Sequence, residues 1–299
     1  MRDLLLRRRN LLIRKQEDEM NIRAVCFEAD GEQTVTIKQV NITTAKVFQY
    51  SYDGVTWESW DLTPLPFGGP TKVYIRGYNK TLSYSNTIYE YFSFSTDAYV
   101  YVSGIVESLL DGDNEVLALG TQGILRQLFY QQTALRSAEN LRFEAQSMNE
   151  VSVYALMFDG CINLLYAPKV LPAQNLNGNY CYQYMFRDCT SLITAPELPA
   201  TTFTSLQTYQ YMFSNCKSLV NAPELPAEAL RDGCYQYMFS NCKSLKSIRC
   251  RAKVKASNAT FNWLNGVNTV GTLYGHSEYG WSSGANGIPT TWTFEELTD

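Results

Sequence analysis

Few residues in this chain are of a type and spacing that could do chemistry. There is one histidine, His276, in Tyr274-Gly275-His276-Ser277. A lone imidazole excludes a two-histidine metal site and any mechanism needing two imidazoles. No serine–aspartate partner motif surrounds it, so it reads as a surface or capping residue. Glu197 and Glu224 are the pair that carboxylate-only glycoside hydrolysis would need. They recur at equivalent places, however, which predicts two similar exposed sites rather than one polarised acid. Asp111-Gly112-Asp113-Asn114-Glu115 has the flavour of a calcium loop but lacks the twelve-residue pattern ending in Glu. It reads as a turn linking two domains. SSGANG at 282–287 lacks the lysine of a phosphate loop. We therefore expect no catalytic set, no metal site and no cofactor.

The elements that would position such residues follow from composition and pattern. The 299 residues are 45% apolar, enough for a sizeable core, and the length suggests about two domains. Charged residues make up 18%, below the roughly 25% of an average soluble protein. The net charge is −4, so nucleic acid is not an expected partner. Twenty-one tyrosines against one histidine lean toward strands, repeats and recognition, and away from catalysis.

The chain starts MRDLLLRRRNLLIRKQEDEM, with apolar runs only three residues long at 4–6 and 11–13. A secretory core segment needs roughly 7–15 apolar residues and a membrane span roughly 18, so neither is expected. Leu, Arg, Lys, Gln and Glu favour a helix over 2–19, and the two triplets repeat at a spacing of seven. Residues 1–20 read as a helix that anchors the protein or joins subunits, a trimer included. A solvated tail is the second reading. A membrane-surface helix is the third, opposed by Glu17, Asp18 and Glu19.

From about residue 22 the pattern alternates with period two. AVCFEA, TVTIKQV, VFQYSY, VTWESW, KVYIRGY, YEYFSFS and AYVYVSG are rich in β-branched and aromatic residues. Asp30-Gly31, Asp53-Gly54 and the Pro/Gly cluster at 64–70 separate them. About seven short strands predict an immunoglobulin-like β-sandwich over 21–103. Asp53-Gly54 predicts a type I′ hairpin, in which both central residues have positive φ. Trp57, Trp60, Tyr74 and Tyr78 could stack on a sugar, although alternate aromatics filling the core is the plainer reading.

The second half repeats itself. Residues 154–173, 182–200, 209–227 and 235–250 share Y-x-x-M-F-x-x-C-x-S-L-x-x-A-P-x-L-P-A, with the methionines Met157, Met185, Met212 and Met238 spaced by 28, 27 and 26. LFYQQTALRSAENL is a degenerate copy before them, with Leu128-Phe129 in the Met-Phe place. ATFNWLNGV is a fading copy after them, with Trp263 near the same register. A unit of about 27 residues is too small to bury its own apolar face, so stacked units bury one another's. The pattern predicts a solenoid of leucine-rich-repeat length over 104–253 and a capping segment over 254–299. Met, Phe, Cys and Leu should point inward. Strands of about three residues should lie around Ser-Leu-x-x-Ala-Pro, and a helical turn should lead into Tyr-x-x-Met-Phe. Cys161, Cys189, Cys216 and Cys242 share one repeat position, as reduced core cysteines would. The variable exposed positions beside the strand, Lys169, Thr194, Glu197, Asn221, Glu224 and Ser247, are the candidate binding residues. The tyrosine ladders read as core and inter-repeat stacking.

MFSNCKSLVNAPELPA and its copies resemble the BspA-like leucine-rich repeats of gut anaerobic bacteria and of the phages that infect them. VSGIVESLLDGDN at 102–114 is similar to that family's link between sandwich and repeats. NWLNGVNTVGTLY at 262–274 and WSSGANGIPTTWTF at 281–294 are similar to its closing segment. The resemblance covers about residues 20–294. It implies non-catalytic surface recognition or adhesion and carries over no catalytic residues. Bacterial surface members start with an export signal or lipid anchor, whereas LLLRRRNLLIRK stands here, which favours the phage branch. The expectation is a virion protein, a fibre or decoration protein. Residues 1–20 would contact other virion proteins, and the repeats would meet a host-surface glycan or protein, or a mucosal glycan. A bacterial cell-surface adhesin is the alternative, and a carbohydrate-active enzyme the third reading.

Overall fold

The computed structural model describes residues 22–40, 46–79, 84–85, 88–89, 91–119 and 122–298. The helix expected over 1–20 lies outside the described residues. The fold is mainly β; among the described residues there is no α-helix, only two 3-10 turns at Val106–Leu109 and Ser277–Tyr279.

The alternating region forms β1 (Val25–Glu28), β2 (Gln33–Val40), β3 (Phe48–Ser51), β4 (Glu58–Ser59), β5 (Leu65–Phe67), β6 (Val73–Gly77), β7 (Tyr84–Ser85), β8 (Ile88–Tyr89), β9 (Tyr91–Thr96) and β10 (Val100–Ile105). β1, β3, β4, β6 and β10 belong to one sheet, and β5, β2 and β9 form a second. β7 and β8 pair with each other. Period-two alternation sends Phe27 and Phe48 from one sheet against Phe94 and Phe92 of the other, at centroid separations of 5.0 and 5.3 Å. Trp60 and Tyr74 are buried. The Arg76 guanidinium covers the Trp57 ring at 4.1 Å, so these aromatics form no open sugar platform.

The Asp53-Gly54 turn differs from the type I′ expectation. Gly54 has φ 76°, but Asp53 does not have positive φ, and β3 pairs with β4 through Tyr50↔Glu58. The Asp53 carboxylate instead accepts the Val55 and Thr56 N–H groups at 2.8 and 2.7 Å. These bonds hold its pKa well below the usual carboxylate range. The side chain closes a wider loop and does the work that positive φ does in the two-residue turn.

The repeats add β11 (Ala118–Leu119), β12 (Leu135–Arg142), β13 (Ser147–Met148), β14 (Asn175–Leu176), β15 (Ser247–Cys250), β16 (Thr272–Gly275) and β17 (Thr293–Glu296). Successive copies lie side by side in parallel register. The inward residues are as the spacing predicts: Met157, Met185, Met212 and Met238, the Phe after each, the four repeat cysteines, and Leu164, Leu192, Leu219 and Leu245 are all 0% exposed. Phe129, Phe158, Phe186, Phe213 and Phe239 stack nearly parallel at 5.1–5.6 Å. Each repeat cysteine sulfur donates to the carbonyl of the Phe one copy earlier, at 3.0–3.1 Å. All eight cysteines are buried, and no disulfide joins any of them. Burial pushes the thiols of Cys181, Cys234 and Cys250 up to about 12.

The segment before Met-Phe is not helical. Along it, alternate N–H groups go to different partners. Tyr182, Tyr184 and Phe186 donate to Thr208, Gln210 and Met212 of the next copy, while Gln183, Met185 and Arg187 donate three residues back. Left-handed residues recur every four positions, as at Tyr180, Tyr184 and Asp188. A helix would direct every N–H along its own axis. Here half of them tie neighbouring copies together, and Gly160, Asp188, Asn215, Asn241 and Gly266 supply residue types that tolerate positive φ.

The strand segments are also shorter than expected in the middle copies, where Tyr166, Thr194 and Asn221 make single-residue bridges. Pro168, Pro196 and Pro223 follow two residues later in each and have no N–H to donate. Where Ser247-Ile248-Arg249-Cys250 replaces that proline, a four-residue strand forms.

The two regions share a sheet. β10 pairs in parallel with β12, so the first sheet runs β12-β10-β1-β6-β3-β4. Gly104, at φ 91°, lets β10 approach the segment entering β1: a Cβ would lie 2.0 Å from the Ala24 carbonyl oxygen.

Candidate functional site

The parallel pairing builds a column of polar side chains, exposed or half-buried. Tyr101 of β10 neighbours Ser137 of β12, which bridges Tyr166, which bridges Thr194. Asn221 holds Thr194's position in the next copy and bridges Ser247, followed by Thr272 and Thr293 on β16 and β17. These eight positions span on the order of 30 Å at about 4.8 Å per rung. Neighbours bond within the column: Ser247 Oγ to Asn221 Oδ1 at 3.1 Å, and the Thr272 and Thr293 hydroxyls at 2.9 Å.

A second, charged column runs beside it. Lys169 reaches Glu139 at 3.9 Å, and the Lys169 carbonyl accepts the Glu197 N–H at 2.8 Å. Glu224 accepts from Arg251 Nε at 2.6 Å, and Arg249, Tyr274 and Glu295 continue the register. The six sequence candidates thus fall on this one face: Thr194, Asn221 and Ser247 in the first column, Lys169, Glu197 and Glu224 in the second. All are exposed except Ser247, which is half-buried. Sequence reasoning missed Tyr101, Ser137, Tyr166, Thr272 and Thr293. Tyr166 occupies Thr194's repeat position and could have been found by alignment. Tyr101 belongs to the alternating region, and no repeat register reaches it.

The tyrosines divide. Tyr154, Tyr182, Tyr209 and Tyr235 are core residues. Tyr184, Tyr211 and Tyr237 are partly exposed but stack on one another at 4.9 and 4.5 Å, with Arg187 over Tyr184 and Phe261 edge-on at the far end. Their faces are already covered.

One buried acid lies where the regions meet. Glu107 sits in the 3-10 turn after β10, fully buried. Its Oε1 accepts from the Tyr154 hydroxyl and from the Ala145 N–H, while Oε2 has no hydrogen-bond partner among the described residues. Burial raises its pKa to about 7. Nothing in the sequence marked it, because its burial depends on two distant segments closing over it.

The remaining chemical motifs serve structure. Asp111 accepts from Asn114, and Asp113 meets Arg76 and the Tyr78 hydroxyl. His276 is buried in the closing segment, 3.8 Å from Glu296, rather than on the surface. Among the described residues no group of three or more His, Cys, Asp or Glu could hold a metal ion, and no helix is long and apolar enough to cross a membrane. A cleft of about 150 Å³ beside Tyr279 and Trp281 gathers no carboxylate, and an open groove of about 350 Å³ beside Tyr52 gathers only Glu32. No protein-family model, curated protein or solved structure matches the chain.

Proposed function

We propose that this chain is a non-enzymatic recognition protein of a phage virion, a fibre or decoration protein. In this reading the first region is an immunoglobulin-like sandwich, and the second is a leucine-rich-repeat solenoid of the BspA-like kind. The polar ladder is the surface offered to a host or mucosal ligand. One observation carries it: exposed or half-buried polar residues pair side by side from Tyr101 to Thr194 and from Asn221 to Thr293, while the inward positions are spent on core packing. Solenoids recognise partners through such repeated exposed positions. The virion assignment rests on the repeat motifs.

The test is a binding screen of purified protein against host-cell surfaces and glycans, repeated with Thr194→Glu/Asn221→Glu. Loss of binding with unchanged thermal stability is the expected result. Binding that survives the change removes the ladder from the reading. Mass spectrometry of purified virions checks the location, and absence of the protein there returns the assignment to a cell-surface adhesin. Comparing the size of the full chain with one lacking residues 1–20 tests subunit joining.

A further inference from the structure

We infer that the partner of this face is an acidic polysaccharide, its carboxylate or sulfate groups held by Lys217, Lys243, Lys246 and Arg249. The inference rests on the recognition reading and narrows its ligand class. Several cations elsewhere on the chain are matched to carboxylates, Arg23 to Glu144, Lys72 to Glu28, Arg187 to Asp159 and Lys253 to Glu228, while Arg231 and Lys255 donate to backbone carbonyls and Lys38 stands alone on β2 among the described residues. Lys217, Lys243 and Lys246 instead gather within two adjacent copies. Each is exposed, and none has an ion-pair or hydrogen-bond partner for its side chain among the described residues. Arg249 is exposed and lies over the Tyr274 ring at 5.4 Å.

Their placement is specific. Lys217 and Lys243 occupy one repeat position on adjacent copies, where the two preceding copies carry Ile162 and Thr190. Like charges on neighbouring rungs repel, about 4.8 Å of strand spacing apart. Lys246 immediately precedes Ser247, and Arg249 shares the outer face of β15 with it. Lys246 and Arg249 therefore border the hydroxyl and amide column at Ser247 and Thr272, and Lys217 and Lys243 stand in the turns that lead into Asn221 and Ser247. A polymer carrying both hydroxyls and anionic groups complements that juxtaposition.

A nucleic acid fits less well. Single-stranded nucleic acid is held by stacking bases on free aromatic faces. Here Tyr184, Tyr211 and Tyr237 cover one another and Arg249 covers Tyr274, and the exposed rings of the ladder, Tyr101 and Tyr166, lie outside the copies that carry the cations.

The experiment measures binding of the full chain to polygalacturonate, to heparin, to neutral dextran and to oligo-dT. One acidic polysaccharide should bind at least tenfold tighter than dextran, and which one identifies the anion as carboxylate or sulfate. Affinity should fall about tenfold as salt rises from about 50 to about 200 mM, because each contact releases counterions. K217Q/K243Q/K246Q/R249Q should weaken binding at least tenfold; if circular dichroism shows that variant misfolded, K217Q/K243Q serves, with at least threefold loss. Equal binding by the lysine variants overturns the site. Tighter binding of oligo-dT replaces the polysaccharide with nucleic acid. Dextran binding as well as the acidic polymers overturns the anionic assignment but leaves the recognition reading standing. Binding of no polysaccharide, with host-cell binding retained, overturns the ligand class alone.

Discussion

In the two-sheet region aromatic rings meet edge to face; in the repeat stack the phenylalanines at the equivalent position of each copy lie parallel. Phe27 on Phe94 and Phe48 on Phe92 are inclined by 64° and 79°, whereas Phe158 on Phe186 and Phe186 on Phe213 are inclined by 3° and 2°. Two sheets that cross a core bring unrelated residues together, and each ring takes the geometry its quadrupole favours. A repeat brings each residue against its own copy by translation, so neighbours share one rotamer and one orientation. Pairwise aromatic preference is subordinate there to register. The stack consequently has one-dimensional energetics, in which each copy depends on its two neighbours.

The largest expected effect tests that dependence. Phe186→Ala should cost about 3–5 kcal/mol in denaturant unfolding, as large core truncations do. Phe186→Ala with Phe213→Ala should be non-additive, because the rings are in contact. Phe186→Ala with Phe48→Ala should add within about 0.5 kcal/mol. Additivity of the first pair would break the comparison.

Glu107 tests the seam between the regions. Its folded pKa of about 7 lies above the unfolded value of 4.5. Its contribution is therefore fully present below the unfolded pKa and is lost as pH rises through the folded one. Between about pH 5 and pH 8 the protein should lose roughly 2–3 kcal/mol relative to Glu107→Gln, read from paired unfolding curves. Parallel curves for the two proteins would show that the seam does not titrate.

The cysteine ladder gives a smaller effect. Cys216→Ala removes one sulfur-to-carbonyl bond between copies and should cost about 1 kcal/mol. Native protein should leave all eight thiols unreacted with a thiol reagent and expose them in denaturant. Fast reaction in native buffer would place a cysteine outside the core. The smallest effects belong to the ladder face, where Thr194→Ala and Asn221→Ala should shift stability by less than about 0.5 kcal/mol. A large loss at either would make it a structural position rather than one available to a partner.

The repeat was the most legible part. Met, Phe, Cys and Leu at fixed spacing identify the inward face, since a copy stacked on a copy must bury the same positions. The candidate site was half legible: the six positions share a face because they share a repeat register. The expected helical turn did not form, because half of that segment's N–H groups bond the neighbouring copy, a choice that local propensity does not contain. The type I′ turn gave way to a loop closed by the Asp53 carboxylate for a similar reason: a side chain outside the two-residue pattern took over its role.

The amino-acid order alone determined the repeat period, the core residues of each copy and the proline that shortens each strand, because all three are properties of a single copy. The tertiary structure alone decided that β12 continues the first region's sheet, that Tyr101 joins the ladder and that Glu107 is sealed at the seam. Each of these requires segments tens of residues apart to meet, and pairing between them leaves no periodic trace in either segment.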